Sequence, residues 1–331
     1  MVKPLSMSQD ILKDDDQRLL LLPVRDERAW GFYKEAVRNF WTAEEIDLSH
    51  DNLDDVQPND RVALKRVLAF FAVADGIVGE NLATNFIPLV QVGEMRAFYS
   101  FQCAIETVHA EVYGQLIETL IKDRSEQHAL FHATKKNDAV QMLSQWALNW
   151  TDDKRATFGE RLVAFACVEG ILFSGPFAII FYFKTRGLLP GLCKSNEFIA
   201  RDEAQHMRFA CFLFKDRLLP SQRPSTERVY EIVRSCVDAE RVFVKAAVLG
   251  MPGLSEASMC EYIEFVADVL LTYMGLPRLY NTANPFSWMT MIGMPGRTNF
   301  FEGRVSEYKR SVGAAVELRG ENSLTGNDVD F

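Results

Sequence analysis

Apolar residues recur every three to four positions along most of the chain, and strand-like alternation is scarce, so the pattern predicts helices. Long helices are expected over about 59–86, 94–122, 157–184, 190–216, 225–249 and 255–275, with shorter ones over about 27–39 and 137–150. Punctuation supports these limits. Pro58-Asn59-Asp60 opens one helix and Pro88 follows it, Pro220 and Pro224 bracket a turn, and Pro252-Gly253 separates the last two. No linker rich in Pro, Gly or Ser interrupts the series, so residues 21–310 read as one all-α domain between flexible segments 1–20 and 311–331. The final segment, SVGAAVELRGENSLTGNDVDF, is polar and poorly periodic until Val329 and Phe331. It is expected to be disordered on its own and suits a docking peptide, with Phe331 as apolar anchor and Asp328 and Asp330 giving direction.

Composition narrows the class. With 48% hydrophobic and 24% charged residues, the 331-residue chain has the make-up of a globular protein with a sizeable core. A net charge of −9 argues against a nucleic-acid partner, which would need a basic stripe. The six cysteines form no CxxC clip and lie mostly in apolar helical patterns, as reduced thiols of a cytoplasmic protein would. The N-terminal MVKPLSMSQDILKDDD turns acidic where a secretory leader needs an apolar stretch, so none is expected. Residues 162–183 are long and apolar enough for a membrane span. Their single charge, Glu169, would be penalised in lipid, and the stretch reads better as the buried centre of a helical bundle.

That buried acid belongs to a larger pattern. Of only five histidines, two sit in Glu-x-x-His: Glu106/His109 and Glu203/His206. Spacing of i,i+3 on a helix puts carboxylate and imidazole on one face, able to reach one metal ion. Asp75 lies 31 residues before Glu106, and Glu169 lies 34 before Glu203, each in an unusually apolar helix (FFAVADGIV and FACVEGILF). The order acid-helix, ExxH-helix thus occurs twice, the pattern of a ferritin-like bundle with a dinuclear carboxylate site. A single buried acid is more often merely paired or hydrogen-bonded; all six residues together favour the metal site. Four carboxylates neutralise two divalent ions, and an oxygen-rich set with one imidazole per metal suits iron or manganese. His128 and His132, also at helical spacing, read as surface residues.

Tyr113 follows His109 by four residues and Glu106 by seven, on the same helical face. Alone it would read as core packing; beside an oxidising metal pair, a phenol can be oxidised to a radical. Here several ordered stretches carry a resemblance: FWTAEEIDLS (40–49), FFAVADGIVGENL (70–82), FYSFQCAIETVHAEVY (98–113), VEGILFSGPFA (168–178), SNEFIARDEAQH (195–206), NPFSWM (284–289) and TNFFEGRVSEY (298–308). The chain resembles the small, radical-generating subunit of class I ribonucleotide reductase, eukaryotic-type, from about residue 20 to 310 and again at the terminal DVDF. Ala204 and Gly79 depart from the pattern without obvious chemical consequence.

The resemblance implies a cytoplasmic homodimer that assembles two iron ions with O₂, manganese being the alternative. Asp75, Glu106 and His109 would serve the metal nearer Tyr113, and Glu169, Glu203 and His206 the other, with Glu106 and Glu203 able to bridge. Tyr113 would hold the radical inside an apolar pocket of Phe173, Phe177 and Ile199. His109, Asp202 and Trp41 match the family's chain from metal to surface, and Tyr308 its continuation into the large subunit, which the tail ending at Phe331 would dock. Reduction of ribonucleotides to deoxyribonucleotides would occur on that partner; this chain has no phosphate-cradling Gly-rich loop and no redox cysteine pair. Two rivals share the metal pattern alone: a ferritin-like di-iron oxidase or hydroxylase, and a metal-storage protein.

Overall fold

The computed structural model describes residues 9–13, 20–132, 138–152 and 155–291. Among them there is no strand, and ten α-helices run in the order α1 (Glu27–Arg38), α2 (Pro58–Asn81), α3 (Gly93–Leu120), α4 (Arg124–Phe131), α5 (Asp138–Asp152), α6 (Phe158–Cys167), α7 (Ser174–Thr185), α8 (Pro190–Phe212), α9 (Thr226–Val248) and α10 (Glu256–Tyr273). The unit described ends at Met289. The expected boundary near residue 310, Tyr308 and the tail to Phe331 lie outside the described residues.

Local chemistry explains most helix starts. Asp26 accepts hydrogen bonds from the Arg28 and Ala29 amides, Thr157 and Glu160 form a reciprocal capping box, and Ser225 and Ser255 cap α9 and α10. Proline opens α2 and α8, where its missing N–H costs nothing. The sequence pattern missed α4, a short polar helix whose start is capped by Asp123. With no buried residue, it leaves no apolar period to read.

Three segments widen into π-helix: Leu82–Phe86 after α2, Val168–Leu172 between α6 and α7, and Leu213–Arg217 after α8. The helix expected over 157–184 is therefore α6 and α7 joined through a π-turn that carries Glu169. Such bulges concentrate at functional sites because they turn a side chain off its regular face.

α2 packs along α3 and α6 along α8, while α3 meets α8; α5 and α9 cover α2 and α6. The span-length segment Phe158–Thr185 has 94% of its most apolar window buried inside the protein, so its hydrophobicity is answered by core. Part of the N-terminal segment expected to be flexible is tied down. Ile11 is buried, its carbonyl accepts from the Gln91 amide at 2.8 Å, and Asp10 accepts from Gln222 at 2.7 Å.

Candidate metal centre

Four elements converge on one buried cluster. α2 supplies Asp75, α3 supplies Glu106 and His109, the π-turn supplies Glu169, and α8 supplies Glu203 and His206. None of the six is more than 2% exposed. The i,i+3 pairs meet as spacing requires: Glu106 Oε2 lies 3.3 Å from His109 Nδ1, and Glu203 Oε2 lies 2.9 Å from His206 Nδ1. Each glutamate also reaches across. Glu203 Oε1 is 2.9 Å from His109 Nδ1, and Glu106 Oε1 is 3.0 Å from His206 Nδ1.

This geometry has too many acceptors. One imidazole nitrogen carries at most one proton, yet oxygens of Glu203, Glu106 and Glu169 surround His206 Nδ1 at 2.9, 3.0 and 3.8 Å. Among the described residues, neither oxygen of Asp75 has a hydrogen-bond partner, and Glu169 Oε2 has none. Buried, unpartnered carboxylate oxygens are costly unless a cation joins them. Glu106, Glu169, Glu203 and His206 each offer one candidate ligand atom, and these atoms lie within 4.8 Å of one another. Asp75 and His109 extend this set on the α2–α3 side. The donor set of four carboxylates and two imidazoles fits two divalent ions by charge and by chemistry.

Titration behaviour follows from the crowding. Burial, reinforced by the charge of Glu106, pushes Asp75 well above the usual carboxylate range; burial and Glu203 do the same to Glu169. Burial alone would raise Glu203 too, but the charge of His206 and hydrogen bonds from both histidines outweigh it and hold Glu203 below its usual range. Both histidines are raised despite burial, His109 by bonds to Asp202, Glu106 and Glu203, His206 by the charges of Glu203 and Glu106.

A polar chain leaves the cluster on one side. His109 Nε2 lies 3.4 Å from Asp202 Oδ2, and the same oxygen accepts from Trp41 Nε1 at 2.7 Å. The other oxygen of Asp202 accepts from Arg201 Nε and Nη2 at 3.0 and 2.8 Å. His109 and Arg201 together keep Asp202 ionised, although burial opposes it. Trp41, 1% exposed, is set with its ring 5.9 Å from that of His109 at an interplanar angle of 26°. Sequence spacing gave no reason for Trp41 and Asp202 to touch; the fold brings them together.

Tyr113 is fully buried on α3. Its hydroxyl donates to Asn196 Oδ1 at 2.7 Å, and Phe71 stacks on its ring at 4.5 Å and 6°. Burial and then the charge of Asp75 oppose loss of its proton to solution. Phe173 and Phe177 meet Phe71, the ring that stacks on Tyr113, at 5.5 and 5.1 Å. Ile199 is buried one turn after Asn196 on α8.

Phe71, Asn196 and Gln102 were missed from the sequence. Gln102 Nε2 donates to Glu169 Oε1 at 2.8 Å. A usable signal existed: Phe71 precedes Asp75 by four residues, Gln102 precedes Glu106 by four, and Asn196 precedes Glu203 by seven, all on ligand-bearing faces. His128 and His132, both exposed, stack at 4.2 Å, and His132 Nδ1 lies 2.8 Å from the His128 carbonyl oxygen.

The sequence matches the family model for the ribonucleotide reductase small chain over residues 18–285. The chain belongs to this family. It is 47% identical to the ribonucleoside-diphosphate reductase small chain of Nicotiana tabacum, over 99% of this chain and 100% of that protein. It is 45% identical to the human ribonucleoside-diphosphate reductase subunit M2, over 98% of this chain and 82% of that one. Among solved structures, the Rnr4 homodimer of Saccharomyces cerevisiae superposes with a TM-score of 0.76 at 29% identity, covering 90% of this chain and 92% of that one. The dimanganese(II)-NrdF of Streptococcus sanguinis gives 0.74 at 18% identity, over 85% and 100%, a likeness of fold alone. The ferritin-like architecture and the oxidoreductase function of a ribonucleotide reductase small subunit follow; the oxidase and storage rivals are not favoured by these relatives.

Proposed function

We propose that this small subunit holds two metal ions on Asp75, Glu106, His109, Glu169, Glu203 and His206 and keeps a radical on Tyr113 for use by a large subunit. The observation that carries the reading is the pair of spanning glutamates. Glu106 and Glu203 each place one oxygen by each histidine, as carboxylates bridging two ions must. Oxidisable ions bound there would reduce O₂ and supply the one-electron oxidant for the phenol. The chain's own residues do the rest. Phe71, Phe173 and Phe177 exclude water and reductants from Tyr113. Asp202 orients His109 and accepts from Trp41, giving a hydrogen-bonded line along which a proton and an electron travel outward. Tyr308 and the tail ending at Phe331 would continue this line and dock the large subunit.

Iron is the metal we favour for a eukaryotic-type chain with Tyr at position 113, manganese being the alternative the same ligands accept. A homodimer is supported by the yeast Rnr4 homodimer, and a cytoplasmic setting by six free thiols. The deciding experiment is electron paramagnetic resonance on protein treated with Fe(II) and O₂. A tyrosyl signal is expected in the parent and none in Tyr113→Phe at equal metal content. A signal surviving in Tyr113→Phe would overturn the assignment.

A further inference from the structure

Asn196 is fully buried in the second turn of α8, inside the helix, where asparagine gains nothing from helix propensity. Its Nδ2 donates to the Leu192 carbonyl at 2.8 Å and approaches Ser195 Oγ at 3.5 Å. Only the nitrogen end of an amide can satisfy a carbonyl, so the Leu192 bond fixes which way the side chain faces. Oδ1 is thereby turned to Tyr113, whose hydroxyl donates to it at 2.7 Å. Among the described residues the phenol hydroxyl has no second acceptor, and Phe71 closes the ring face.

We propose that Asn196 is a redox-dependent latch on Tyr113: its fixed Oδ1 holds the reduced, protonated phenol and has no bond to offer the radical. The inference rests on the radical reading of Tyr113 given above. Oxidation removes one electron and one proton from the phenol. The electron would go to the one-electron oxidant that metal ions held by the cluster supply with O₂. The proton would leave toward the carboxylate cluster and not to Asn196, since a neutral amide oxygen is too weak a base to keep it. The phenoxyl oxygen that remains can only accept, and it faces another acceptor while Nδ2 stays engaged with Leu192. The bond therefore exists in one redox state alone. It biases Tyr113 toward reduction and returns the phenol to one position after every cycle.

The test uses the full chain as its dimer, equilibrated in D₂O without metal, then loaded with Fe(II) and O₂. High-field paramagnetic resonance is expected to show no exchangeable deuteron bonded to the radical oxygen from an amide. Asn196→Leu, of similar volume, is expected to keep two metals per chain and slow radical decay by about fivefold, the equilibrium factor of one net hydrogen bond. An exchangeable deuteron coupling in the parent that vanishes in Asn196→Leu would show that the amide turns and donates, which overturns the latch. So would an unchanged lifetime at equal metal content. If Asn196→Leu does not fold, Asn196→Ala carries the same readouts.

A double-mutant cycle on the metal-free protein separates the two claims. Asn196→Leu is expected to lower the melting midpoint more in the Tyr113 background than in Tyr113→Phe. No radical in the parent strikes the reading of Tyr113. A radical in the parent with no coupling in the cycle strikes Asn196 alone.

Discussion

The two halves of the cradle share a spacing and differ in what surrounds it. On the α2–α3 side, His109 is followed four residues later by Tyr113; on the other side, the position four after His206 is Ala210. His109 turns its far nitrogen to Asp202 and so to Trp41, whereas the nearest aromatic neighbour of His206 is Phe98, edge-on at 6.2 Å and 80°. Asp75 sits in regular α-helix with both oxygens unpartnered; Glu169 sits on a π-turn with one oxygen held by Gln102. Duplicated geometry supplies the charge balance for two ions. Asymmetry around it puts Tyr113 and the His109–Asp202–Trp41 contacts on one half, so under the proposed function an oxidising equivalent made between the halves would have one direction to go.

The largest expected effect comes from removing what the halves share. If Glu106 and Glu203 bridge as proposed, Glu106→Gln or Glu203→Gln takes a ligand from both positions at once. Metal content is expected to fall from about two to below about one per chain, with loss of the radical, as measured by metal analysis and paramagnetic resonance on one sample. Glu169→Gln should spare the α2–α3 position and leave about one ion per chain. Equal losses in all three variants would show that the glutamates do not divide into shared and private ligands.

Next comes the outward line, which belongs to one half. Asp202→Asn keeps the shape but lowers the charge that orients His109 and receives Trp41. Radical yield should stay within about twofold, while turnover with the large subunit falls about 10- to 100-fold. A matching loss of radical would mean that Asp202 supports the metals themselves. On the opposite half, Gln102→Leu frees one oxygen of Glu169 and should weaken metal binding by about tenfold without touching the outward line. Metal titration of the metal-free protein reads this directly.

How much of this was legible beforehand depends on range. Ligand pairs at i,i+3 are local, and helix geometry alone places Glu106 by His109 and Glu203 by His206. Helix extents were readable for the same reason, except α4, whose polar surface carries no period. The crossing contacts were not readable. Nothing in the spacing of Trp41, Asp202 and His109 shows that they meet, because the distances are set by how α3, α8 and the segment after α1 pack. Phe71 and Asn196 lie on readable faces but carry no metal chemistry, so the Glu-x-x-His pattern does not single them out. The widening of the chain at Glu169 was invisible for another reason: π-turns follow from packing and side-chain demand, with no signature in apolar spacing.

The smallest effect distinguishes acids that belong to the cradle from one that does not. Glu240 on α9 is fully buried, and its carboxylate lies against Gly175, where a Cβ would overlap it, just past the π-turn of Glu169. Among the described residues neither of its oxygens has a well-formed hydrogen bond, and burial raises it well above its ordinary 4.5. Below that ordinary value the folded and unfolded chains both carry the proton, and ionisation costs nothing. As pH rises, the unfolded chain releases the proton first, so stability declines through the window up to the raised folded value. Glu240→Gln removes that penalty. It should raise the melting midpoint by a few degrees near pH 7, by progressively less toward pH 4.5, and leave metal content unchanged. Thermal melts across that range, with metal analysis beside them, decide it. A gain that does not shrink on acidification would show that packing, not charge, is what glutamine improves, and a loss of metal would enlarge the second half of the cradle to include α9.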